Sequence, residues 1–187
     1  VMTNCGMILP EPGFHDALRK LTRDAGALLV IDETHTISTG PGGYTRAFDL
    51  EPDVFVLGKA VAGGVPAAVW GVTAELSARM DEAQARVGPG QSGIGTTLSG
   101  NAVAMAARRA MLSEVRTDAA YAKMLAGAER LVAGLKAVIA ARRLPWSVVH
   151  VGARVELVFA SPPPKNAAEM RKVLDHDAVE ALHLWLI

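Results

Sequence analysis

The chain has 187 residues, half of them hydrophobic, and its 19 Lys plus Arg balance 19 Asp plus Glu. That length fits one domain or one and a half, and zero formal charge gives no reason to expect a nucleic acid or a membrane surface as partner. The single cysteine, Cys5, excludes a disulfide framework within the chain and suits a reducing compartment. No run approaches the roughly 18 apolar residues of a spanning helix. No charged start followed by an apolar core is visible, so the expected location is the cytoplasm. Residue 1 is not Met, and the sequence stops on Leu184-Trp185-Leu186-Ile187, which reads as strand-like, so a piece of a longer protein is expected.

Pro10-Glu11-Pro12-Gly13 marks a turn. Phe14, Ala17, Leu18 and Leu21 recur three and four apart, which predicts an amphipathic helix over 14–24, closed by Gly26. Residues 27–31 form a short apolar run, as in a strand buried on both faces. Gly40-Pro41-Gly42-Gly43 is a loop, and residues 54–57 and 67–72 are two further strand candidates. Alternating strands and helices predict right-handed crossovers and a mainly parallel sheet. Residues 101–112 and 119–141, rich in Ala, Leu and Met, predict helices, with Met105, Met111 and Met124 in the core. Strands return over 148–151 and 155–159, followed by a stiff linker at Ser161-Pro162-Pro163-Pro164.

In open α/β sheets, ligands bind just beyond the carboxyl ends of the strands. Asp32 ends the first strong run, and Gly58-Lys59 follows the second, so a carboxylate and an amine fall on one rim. After Lys59 come only small and apolar residues, with no further charge until Glu75. A lysine in such surroundings is expected to be partly desolvated, which favours the neutral, nucleophilic amine that Schiff-base chemistry requires. The plain alternatives are a solvated surface lysine and an aspartate that caps a loop. Pyridoxal phosphate needs its pyridine nitrogen kept protonated, and a carboxylate against that nitrogen does this. An Asp and a Lys on one rim therefore suit that cofactor.

Four segments carry a resemblance: "LPEPGFHDALRKL" (residues 9–21), "GALLVIDETHT" (26–36), "GGYTRAFDLEPDVFVLGKAVAGGVPAAVWG" (42–71) and "GTTLSGNAVAMAA" (95–107). In order and approximate spacing they resemble the class III aminotransferases of the fold-type I pyridoxal-phosphate superfamily, nearest the glutamate-1-semialdehyde aminomutase-like branch. The resemblance implies an α/β fold: part of a three-layer large domain with a mainly parallel sheet over 1–120. A linking helix and the start of a small α+β C-terminal domain would then occupy 121–187. It makes Lys59 the lysine that holds pyridoxal phosphate as an internal aldimine and shuttles the proton. Asp32 becomes the partner of the pyridine nitrogen. Thr34 falls where the family usually has Val against the ring face, and His35 where many members have Gln near the phenolic oxygen. Both are departures from the family pattern. Thr97 matches the threonine that reaches the cofactor phosphate, generally from the neighbouring subunit, with Thr96 beside it as the alternative. A homodimer with shared active sites follows from that match.

The expected activity is transfer of an amino group between a small-molecule amino donor and a keto acid or aldehyde acceptor. An intramolecular aminomutase reaction and an amino-acid epimerisation are the alternatives, since all three start from the same lysine-held cofactor. A non-catalytic family member is a further reading, opposed by the presence of Asp32, Lys59 and Thr97. By the resemblance, the phosphate-binding glycine loop and the aromatic stacked on the ring fall upstream of residue 1. The arginine for a substrate carboxylate is unassigned, with Arg46 and Arg154 as candidates.

Competing motifs carry less. Residues 88–93 spell G-x-G-x-x-G but do not follow a strand, as a dinucleotide site requires. Asp32, Glu33 and His35 offer metal-ligand chemistry, yet neighbours just after a strand point in different directions and no second ligand pair stands out, so no metal is expected. No G-x-S-x-G elbow marks a hydrolase. His150, His176 and His183 read as ordinary surface or core histidines.

Overall fold

The computed structural model describes residues 1–88, 95 and 97–187. Contacts divide the chain into two compact units, Gly13–Ala122 and the pair of segments Val1–Pro12 and Lys123–Ile187.

The first unit opens with helix α1 (Phe14–Asp24), entered through Gly13 at φ 79° and left through Gly26 at φ 64°. Both turns need left-handed backbone, which glycine adopts without a Cβ penalty. A three-stranded sheet follows, made of β1 (Val30–Asp32), β2 (Val54–Leu57) and β3 (Val69–Val72), in that order across the sheet. β1 and β2 pair in parallel, with Asp32 opposite Val56. β3 returns antiparallel to β2, with Val69 opposite Leu57. The 11 residues between Leu57 and Val69 hold only a 3-10 turn, Lys59–Ala62. That connection is too short for the crossover a parallel neighbour requires, about a dozen residues or more. The parallel character of the fold is carried here by β1 and β2.

Burial on both faces, expected for residues 27–31, is not met within this chain. Leu28 is 48 % and Val30 55 % exposed, because β1 is an edge of the sheet among the described residues. The core lies on the other side of the strand ends. Ile37, Leu57, Val61 and Ala62 are buried together, and Phe55, Val69 and Ala107 pack against them. Between β1 and β2 run a 3-10 turn, Thr36–Thr39, and the short helix α2 (Gly43–Ala47). Helix α3 (Ala74–Ala85) is capped by Thr73, whose hydroxyl accepts from Leu76 N. Helix α4 (Ala102–Ala110) is capped by Asn101, accepting from Ala104 N at 2.9 Å, and ends in a π turn, Met111–Val115.

Helix α5 (Asp118–Arg142) begins in the first unit and continues in the second. The second unit adds a hairpin of β4 (Ser147–Val151) and β5 (Arg154–Val158), then α6 (Ala167–Val173) and α7 (His176–Leu186). Residues 1–12 group with this later unit by their contacts. Met7 N donates to Glu156 Oε1 on β5 at 2.7 Å, and a Cβ on Gly6 would meet the Met170 side chain of α6 at 2.7 Å. The strand-like ending is also corrected. Residues 184–186 close α7, which Asp175 starts by accepting from Ala178 N at 2.9 Å. A capped N-terminus and one run of good helix formers override the apolar look of the last residues. Met124, expected in the core, is 41 % exposed on α5. Among the described residues no helix is long and apolar enough to cross a membrane.

Candidate active site

Parallel pairing puts the carboxyl ends of β1 and β2 on one rim. β1 delivers Asp32 there, and β2 delivers Gly58 and Lys59. The last ladder bond runs from Glu33 N to Val56 O at 2.8 Å. Beyond it the side chain of Thr34 takes over, its Oγ1 accepting from Gly58 N at 3.1 Å. The Thr34 amide turns back and donates to Asp32 Oδ1 at 2.8 Å. Hydrogen bonding from Thr34 to Asp32, first from its side chain and then from its amide, is the main cause that holds the Asp32 carboxyl below the usual carboxylate range, and the charges of Lys59 and His35 add to it. A carboxylate shifted in this direction stays ionised at neutral pH.

Asp32 is exposed in this chain, because it ends a strand that is an edge of the sheet among the described residues. Lys59 is exposed as well, against the expected desolvation. Its neighbours Ala60, Gly63 and Gly64 have too little side chain to cover it. Lys59 sits at φ 47°, a left-handed conformation that is costly for a residue with a Cβ. It borders an open cavity of about 520 Å³, lined also by Gly63, Gly64, Pro66 and Met111. A Cβ on Gly63 would stand 3.2 Å from the Met111 sulfur, so glycine permits that close approach.

His35 is half-buried at the start of the 3-10 turn, where its carbonyl accepts from Ser38 Oγ at 3.2 Å. Thr97 is exposed in the turn ahead of α4 and is not joined to Asp32, Thr34 and Lys59 by the bonds above. Thr96 and residues 89–94, which include most of the G-x-G-x-x-G letters, lie outside the described residues. Arg46 is exposed on α2, and Arg154 lies on β5 in the other unit, 3.9 Å from Glu156.

Glu33 is the residue whose role sequence reasoning missed. Its neighbour Asp32 faces out, while Glu33 is fully buried. Its Oε2 accepts from Thr36 Oγ1 at 2.6 Å and Tyr44 N at 3.1 Å, and its Oε1 accepts from Thr45 N. The carboxylate thus seats the N-terminal end of α2, where unpaired amides and the helix dipole favour negative charge. Gly43 is matched to it, since a Cβ there would stand 2.8 Å from Glu33 Oε2. The available signal was strand alternation, which turns residues 32 and 33 to opposite faces. Turned inward, Glu33 does not converge with Asp32, and no group of three His, Cys, Asp or Glu placed to hold a metal occurs among the described residues.

A carboxylate kept ionised and an uncovered amine on one sheet rim have the donor chemistry that pyridoxal phosphate needs, and the fold is that of the fold-type I pyridoxal-phosphate enzymes. The chain belongs to the aminotransferase class-III family, whose model matches residues 1–178. It is 41 % identical over 81 residues to a glutamate-1-semialdehyde 2,1-aminomutase of Syntrophomonas wolfei, a match covering 43 % of this chain and 19 % of that protein. The crystal structure of a glutamate-1-semialdehyde aminomutase from Pseudomonas aeruginosa, in complex with PMP, superposes with TM-score 0.88 at 47 % identity. That superposition covers 93 % of this chain and 39 % of the other. A β-phenylalanine aminotransferase from Variovorax paradoxus superposes with TM-score 0.77 at 29 % identity, over 91 % of this chain and 38 % of that one. The chain thus spans about two-fifths of the length of its solved structural neighbours.

Proposed function

We propose that these residues supply the lysine and the pyridine-nitrogen partner of a pyridoxal-phosphate enzyme that moves an amino group between adjacent carbons of one small molecule. The observation that carries the cofactor reading is the rim on which Asp32 and Lys59 meet, joined through Thr34. When bound, the cofactor supplies an aldehyde that condenses with an amine, releasing water, and a ring that accepts the electrons left when a proton leaves carbon. Lys59 Nζ would hold the cofactor and, as a free amine, would move the proton at the substrate carbon. Asp32 would accept a hydrogen bond from the protonated pyridine nitrogen, using acceptor capacity beyond its bond from Thr34. His35 and Thr34 would lie beside the ring, and Thr97 would reach the phosphate from a partner subunit in a homodimer.

The intramolecular shift is preferred over the transfer between two molecules expected at first, because the curated relatives and the structural neighbour of highest identity above bear aminomutase names. Transfer from an amino donor to a keto acid or aldehyde is the second reading, supported by the aminotransferase neighbour. The full-length protein with pyridoxal phosphate should show the visible absorption of a lysine-bound cofactor, and Lys59→Ala should abolish it. An unchanged spectrum in the variant refutes the assignment. Glutamate 1-semialdehyde given alone should yield the isomer with its amino group on carbon 1. A product that appears only when a separate donor and acceptor are supplied favours the second reading.

A further inference from the structure

We propose that the Thr34 hydroxyl is a positioning group for Lys59, latching the loop that presents the amine to the strand end that presents Asp32. The inference rests on the reading of Lys59 as the cofactor-bearing lysine and deepens it.

Beyond the Glu33 N to Val56 O bond, the backbones of β1 and β2 no longer pair. Thr34 Oγ1 carries the ladder one step further by accepting from Gly58 N at 3.1 Å. Gly58 is buried, so water does not satisfy its N–H. The fit is close, since a Cβ on Gly58 would stand 3.3 Å from Thr34 Oγ1. The next residue is Lys59 at φ 47°, a backbone state that persists only where the surroundings hold it. The same Thr34 gives its amide to Asp32 Oδ1 at 2.8 Å. One residue therefore fixes the spacing between the two groups that define the site. A Val in its place keeps the β-branched shape and supplies no acceptor.

The latch acts on the lysine loop, so it matters more for a ligand that bonds to Nζ than for one that cannot. Pyridoxal phosphate condenses with Nζ. Pyridoxamine 5′-phosphate carries an amine where the aldehyde was, and does not. In the full-length protein, Thr34→Val should weaken retention of pyridoxal phosphate by roughly 5–30-fold, the effect of one buried donor losing its acceptor. Pyridoxamine 5′-phosphate binding should weaken less than pyridoxal phosphate retention does, and Thr34→Ser should recover more pyridoxal phosphate retention than Thr34→Val. Equal weakening for both ligands overturns the proposal, because Thr34 would then only shape the pocket. So does wild-type retention in Thr34→Val, or a Thr34→Ser variant as weak as Thr34→Val. If Thr34→Val does not fold, Thr34→Ala against Thr34→Ser makes the same comparison. Attachment that survives Lys59→Ala overturns the parent reading as well. Attachment lost in Lys59→Ala but untouched in Thr34→Val overturns this inference alone.

Discussion

Glu33→Gln is the sharpest test of how the polar end of β1 is built. Both carboxylate oxygens of Glu33 accept from backbone amides, Oε2 from Tyr44 N at 3.1 Å and Oε1 from Thr45 N, and the side chain is fully buried. A glutamine has one carbonyl oxygen and one NH2. Whichever way its amide turns, the NH2 faces one of these two N–H groups, and that buried donor loses its acceptor. A hydrogen bond to a charged group contributes about 1.5–3 kcal/mol, and an orphaned buried donor costs about 1–3 kcal/mol. The expected destabilisation is therefore about 2 kcal/mol. Glu33→Ala also strands the Thr36 hydroxyl, which now donates at 2.6 Å, and should cost about 4 kcal/mol, the sum of such losses. Urea unfolding of the full-length protein reads both, as a lowered midpoint at unchanged slope. A Glu33→Gln midpoint equal to wild type would refute the reasoning, because it would mean that water, not Glu33, satisfies those amides.

Two further outcomes follow from bonds in the same unit. Asp53 accepts two bonds from Arg19, at 2.7 and 2.9 Å, and one from Leu29 N at 2.7 Å. Arg19 is the main cause that lowers the Asp53 carboxyl to about 2. Because the folded value is depressed, the stability Asp53 contributes is present above the ordinary carboxylate value of 3.8 and is lost as pH falls from there to about 2. Asp53→Asn should flatten the stability profile across that window, and an equally steep variant profile counts against the pairing. Tyr121 OH donates to Ile37 O at 3.2 Å and receives a bond from Arg116 Nη2, tying the start of α5 to the turn after β1. Tyr121→Phe should cost about 1 kcal/mol, read as a lower thermal midpoint, and an unchanged midpoint argues against the tie.

The elements were legible where the signal is local. Helix α1 follows from four apolar positions and a closing glycine, and β2, β4 and β5 follow from short apolar runs. What escaped depended on distance along the chain. The direction of β3 is decided by the length of the Gly58 to Ala68 connection, which leaves no room for a crossover. The exposure of Lys59 follows from side chains that its neighbours lack, so an apolar-looking context uncovered the amine where it was expected to bury it.

The stretch Asp32-Glu33-Thr34 shows the limit most clearly. Its composition announced chemistry, and alternation along the strand could have separated an outward Asp32 from an inward Glu33. Alternation names faces, however, and not partners. Glu33 meets amides 11 and 12 residues away, and Thr34 meets one 24 residues away. Those partners exist only because β1 and β2 lie in parallel with Asp32 opposite Val56. A register shifted by one residue would turn Asp32 inward and Glu33 outward, exchanging a seat for α2 with a ligand for a cofactor. The chemistry of this rim is therefore a consequence of strand register, and the residue types alone do not determine it.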